Sequence, residues 1–79
     1  KEVFSYSIKI ADFYYKDSAI LMLDRIKNET QVKNSKIIRL SKTKYRVLLG
    51  PFDDIKSIKD AFEKIKSLNF ENVEILKNV

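Results

Sequence analysis

The chain writes one eight-residue pattern twice. Tyr6–Phe13 reads YSIKIADF and Tyr45–Phe52 reads YRVLLGPF, both Tyr-x-apolar-x-apolar-x-x-Phe, set 39 positions apart (52 − 13). Side chains along a strand point alternately to its two faces, so each copy reads as a strand with one apolar side. In the first copy alternation places Tyr6, Ile8 and Ile10 on one side and Ser7, Lys9 and Ala11 on the other. In the second it sets Tyr45, Val47 and Leu49 against Arg46, Leu48 and Gly50. Two copies of one strand in 79 residues leave room for little except two halves of a single domain.

The intervening segments define those halves. Asp17 offers an N-cap to a helix running to about Asn28, with Ala19, Met22, Leu23 and Ile26 at helical spacing. The run NETQVKNS is a turn-rich connection, Ile37–Ser41 a short strand and SKTK a tight hairpin. The third strand is expected over Tyr45–Leu49, with Gly50-Pro51 ending its ladder. Asp53 or Asp54 then caps a second helix, whose stripe is Ile55, Ile58, Ala61, Phe62, Ile65 and Leu68. On its surface Asp60 stands four residues before Lys64, a favourable pair. LNFEN turns the chain into a last strand, Val73–Leu76.

The order β-α-β-β-α-β predicts an α+β, ferredoxin-like (RNP-like) sandwich. Its four-stranded antiparallel sheet has both helices on one face and the twin strands side by side in the middle. One domain is expected over 1–79, its core spanning about 5–76. The start KEVFS has no signal-peptide pattern, so the chain is expected to be a piece of a longer protein.

Composition narrows the chemistry. The chain has no Cys and no His, which removes disulfides, thiolate metal sites and the commonest general base. It has no Gly-rich phosphate loop, and helix capping explains the Asp53-Asp54 doublet. No enzyme, metal or cofactor is expected. No run of about 18 apolar residues is present to span a membrane. The net charge of +5 favours an anionic partner: nucleic acid, acidic lipid or acidic polysaccharide.

Function is sought on the sheet face that the helices leave open. Ser7, Lys9, Ala11, Arg46 and Leu48 are placed there, with Ile37 and Arg39 from the second strand. The cations can hold a carboxylate or phosphate, Arg by two prongs, and Leu48 and Ala11 can underlie an apolar ligand surface. Of the adjacent tyrosines Tyr14 and Tyr15, one is expected to offer a ring for stacking. The competing reading is a solvated sheet face that needs polar side chains and binds nothing.

YRVLLGPF, followed by DDIKSIKDAFEKIKSLNFENVEIL with Ala61 nine residues after Phe52, resembles the SPOR domain of bacterial envelope and cell-division proteins. The first copy resembles that family's opening strand, Tyr-x-apolar-Gln-apolar-Gly-Ser-Phe, with Lys9 where Gln is usual, Ala11 for Gly and Asp12 for Ser. Arg46 keeps the family's arginine, and Leu48 stands at a second position that is often basic. The resemblance covers Ser5 to about Leu76. It implies a βαββαβ fold and a non-catalytic module of the periplasm that binds peptidoglycan on the face away from the helices; separately, the domain is expected to be monomeric. The implied preference is for glycan strands lacking stem peptides, as at the division septum, and the parent would be membrane-anchored or a lipoprotein. The expected glycan contacts are Ser7, Lys9, Ala11, Asp12, Tyr14, Arg39, Arg46 and Leu48, with a muramic carboxylate meeting Lys9, Arg39 or Arg46. The alternatives are a single-stranded RNA binder of similar topology, and a protein-docking domain of an envelope complex. The first is weakened because Ser7, Lys9, Arg46 and Leu48 occupy positions where such modules carry stacking aromatics.

Overall fold

The computed structural model describes residues 4–78. Its elements run β1 (Tyr6–Phe13), α1 (Lys16–Glu29), β2 (Ser35–Ser41), β3 (Lys44–Phe52), α2 (Ile55–Ile65) with a 3-10 turn (Lys66–Leu68), and β4 (Glu74–Lys77). The sheet order is β2-β3-β1-β4, and every neighbouring pair is antiparallel. This is the expected ferredoxin-like arrangement with the twin strands at its centre.

The repeat explains how the centre closes. Run antiparallel, the copies meet head to tail: Tyr6 lies opposite Phe52, and Phe13 opposite Tyr45. Ile8, Ile10, Val47, Leu49 and Phe52 turn to the helices, where they join Ala19 and Ile26 of α1 and Ile58, Ala61 and Ile65 of α2 in one buried cluster. Fully burying a side chain such as Ile8 or Leu49 is worth about 1.5–3 kcal/mol, so a few of them set the stability of a domain this small.

Several local expectations change. The first helix starts on Tyr15, which has extended backbone and gives no side-chain cap, so Asp17 lies in the first turn; there its charge still favours the helix N-terminus. In α2, Asp54 is the cap, its carboxylate accepting from the Ser57 N–H at 2.7 Å. These backbone and hydroxyl donors of Ser57 hold the Asp54 carboxyl below its ordinary value of 3.8. On this segment the ion pair joins Glu63 and Lys66 at 2.9 Å in place of Asp60 and Lys64. Ile55 is exposed, so the apolar stripe begins at Ile58.

The ladder also runs past Gly50-Pro51. The Gly50 N–H donates to the Asn34 carbonyl at 2.6 Å, and Phe52 still pairs with Tyr6. What the dipeptide introduces is a bulge, since Tyr6 to Ile8 spans two residues while Phe52 to Leu49 spans three. A second bulge, on β1, sets Lys9 and Ala11 against the adjacent Leu48 and Val47, leaving Ile10 as the extra residue. Each bulge breaks strict alternation at one point.

Candidate functional site

The second bulge reassigns β1. Beyond Ile10 the faces exchange: Ala11 pairs with Val47 and packs against the core, while Asp12 pairs with Arg46 on the open side. Ala11 therefore does not belong to the open face. Arg39 does not either. In β2, Ile37 pairs with Val47 and Arg39 with Tyr45, both core-side partners, so Lys36, Ile38 and Leu40 take the open positions. Arg39 is exposed at the sheet edge, its Nε donating to the Ser41 carbonyl at 3.3 Å. The doublet Ile37-Ile38 hid this phase, because either isoleucine satisfies an apolar alternation.

The open face then has two parts. One is an ion cluster around Asp12. Arg46 donates to it in a fork, Nε to Oδ1 at 2.7 Å and Nη2 to Oδ2 at 3.0 Å. The ammonium groups of Lys9 and Lys44 each lie 3.7 Å from Oδ2, and Lys9 also reaches Glu74 at 3.5 Å. The Arg46 hydrogen bond, opposed by partial burial and aided by the charges of Arg46, Lys9 and Lys44, lowers the Asp12 carboxyl below 3.8. The same bond raises Arg46.

The second part is a groove of about 420 Å³ beside that cluster. It is lined by Ile38 and Leu40 of β2, Arg46, Leu48 and Pro51 of β3, and Leu76 of β4, with Ser5, Lys36, Lys77 and Asn78 at its rim. Leu48 is its floor. Only 4% of it is exposed, and among the described residues it is the one buried apolar side chain outside the core cluster. Its cross-strand neighbours are Lys9 and Lys36, whose methylene stems can shield it while the Lys9 ammonium pairs with Asp12 and Glu74 and that of Lys36 stays in water.

Ser7 lies on the open side but is 2% exposed, its hydroxyl donating to Asn78 Oδ1 at 3.0 Å. With Asn78 Nδ2 donating to Ser5 Oγ at 3.1 Å, it ties the end of β4 to β1. Tyr14 and Tyr15 are both exposed and meet edge to face at 4.8 Å beyond β1; Tyr14 does not line the groove. Of the eight expected contacts, Lys9, Asp12, Arg46 and Leu48 come together. The groove walls Ile38, Leu40 and Leu76 were missed.

This face offers apolar ground with hydrogen-bonding groups along one side, and α1 and α2 both pack on the opposite side of the sheet. The family model for the SPOR domain matches residues 3–75. The chain belongs to the SPOR family. No curated protein and no solved structure matches it. A SPOR domain is a peptidoglycan-binding module of bacterial envelope proteins, non-catalytic in the family. The resemblance that YRVLLGPF carries thus extends over nearly the whole chain, although the strand facing it departs from the family at Lys9, Ala11 and Asp12.

The clamp has a measurable signature. A carboxyl lowered on folding contributes stability that is present above its ordinary value of 3.8 and is lost as pH falls through the lower folded value. The side chains of Asp12 and Arg46 are about one-fifth exposed, so solvent screens the pair and it is worth about 1 kcal/mol. Urea denaturation should find Asp12→Asn less stable than wild type by about that amount at neutral pH, with the gap closing as pH falls below 3.8. A gap unchanged across that window would remove the charge from the explanation.

Proposed function

We propose that the domain binds peptidoglycan glycan strands from which stem peptides have been removed, and so places a longer, periplasmic parent protein at the septum or other sites of wall remodelling. The groove carries this reading. Ile38, Leu40, Leu48 and Leu76 supply a floor for sugar C–H faces and N-acetyl methyl groups. The Arg46 fork to Asp12 uses two of five N–H donors, which leaves three for acetamido carbonyls and hydroxyls. Asn78 and Ser5 stand at the opposite rim. A stem peptide branching from the strand would have to pass over this rim. Contacts of this kind are individually weak, and copies gathered along one polymer gain by avidity.

The test is co-sedimentation of the domain with sacculi, before and after an amidase removes the stem peptides. Binding should rise several-fold after treatment and survive addition of RNA oligonucleotides. Equal binding to both preparations removes the preference for bare strands, and no binding to either removes the assignment to glycan.

A further inference from the structure

We propose that Asp12 is a specificity-determining residue that occupies the cationic centre of the open face, so that the domain reads the uncharged parts of a bare strand and not the carboxylate that stem-peptide removal exposes. The proposal rests on the glycan reading above and concerns how that same face selects.

An anion approaching Arg46 finds the Nε–Nη2 edge already taken. At the three N–H groups that remain it meets the negative charge of Asp12, which does not oppose a neutral acetamido carbonyl or hydroxyl. Asp12 fills the fork at 2.7 and 3.0 Å, and the ammonium groups of Lys9 and Lys44 converge on its second oxygen at 3.7 Å. Lys9 is claimed a second time by Glu74 at 3.5 Å. To take the occupied edge itself, a ligand carboxylate would have to displace Asp12 and leave it, partly buried, beside a second negative charge. Both changes are unfavourable. The cluster holds three cations against two carboxylates, and its geometry spends the cations inward.

The cations left at the groove differ in kind. Lys36 and Lys77 are exposed residues on the two edge strands. Mobile ammonium groups in water give a salt-screened attraction and no directional recognition of a carboxylate. Between them lie Ile38, Leu40, Leu48 and Leu76, which suit acetamido methyls and ring faces. Preference for stripped strands then arises because the stem peptide no longer obstructs the groove; the freed carboxylate plays no part in it.

The experiment compares wild type, Asp12→Asn and Asp12→Ser, each confirmed folded by its thermal melt, on two forms of the same amidase-treated glycan. One form keeps its free carboxylates, and in the other they are capped as methylamides. Wild type should bind both forms within about twofold, and its affinity should fall less than about threefold between low and moderate salt. In the Asp12 variants the freed arginine should favour the uncapped form by about fivefold, an advantage that moderate salt removes. Loss of more than about fivefold by wild type on capping, or no preference in either variant, overturns the proposal.

A wild type that binds neither form would refute the glycan assignment but leaves the clamp to be judged by inorganic sulfate, followed at the Arg46 Nε–H resonance. A saturable shift in the Asp12 variants and none in wild type supports the occupied centre. A saturable shift in wild type overturns it.

Discussion

Replacing Gly50 by alanine is expected to lower the melting temperature by about 12–24 °C. Gly50 has φ +129°, a backbone region that residues with a side chain rarely enter, and holding one there costs about 1–3 kcal/mol. The space is also taken. A Cβ at Gly50 would stand 2.8 Å from Ser7 Oγ, 3.1 Å from Ser7 Cα and 3.2 Å from Ser7 Cβ. The hydroxyl can move only by giving up its bond to Asn78, worth about 1 kcal/mol. The Cα belongs to the central strand and cannot move freely. Together these come to about 3 kcal/mol, and a domain of this size loses about 4–8 °C for each. Adding Ser7→Ala should recover at most about 1 kcal/mol, because the Cα and Cβ contacts and the backbone angle remain. A Gly50→Ala variant that melts within about 3 °C of wild type would show that the bulge is not held as described.

That glycine marks where the sequence was legible and where it was not. The pattern that predicts the two central strands depends on side-chain type alone, and apolar burial enforces it: Ile8, Ile10, Val47 and Leu49 face the helices as alternation requires. The capping carboxylate of the second helix and the antiparallel pairing of the twins were legible for similar reasons. Alternation fails at the two bulges of the central pair, because one extra residue exchanges every face beyond it. Ala11 and Asp12 swap sides for this reason, and only pairing with β3 reveals it. The role of Asp12 was equally hidden. Taken alone it is an acid on a surface expected to be basic; its meaning comes from Arg46, 34 residues away in sequence, and from Lys44 across the strands. Gly50-Pro51 was legible as a special site, but its effect, a bulge inside a continuing ladder, depends on Asn34 and Ser7.

The phase of β2 gives the sharpest functional prediction, because neighbours in sequence should behave oppositely. Ile38 and Leu40 line the groove, and Arg39 between them points to the other face. The double substitution Ile38→Ala, Leu40→Ala removes three carbons at each position from the floor. If a bound sugar covers about half of them, at about 0.8 kcal/mol per methylene, binding weakens by about 2 kcal/mol, or about thirtyfold in Kd. Folding should change less, since β2 is an edge strand and Leu40 is already 45% exposed. Arg39→Ala should leave glycan binding within about twofold of wild type, although it removes a full positive charge, because that charge lies on the side of the sheet the ligand does not touch. Equilibrium binding of the two variants to stripped glycan strands, alongside their melting curves, decides the matter. Should Arg39→Ala weaken binding more than the double variant does, the ligand would lie along the sheet edge and the groove over Leu48 would lose its claim.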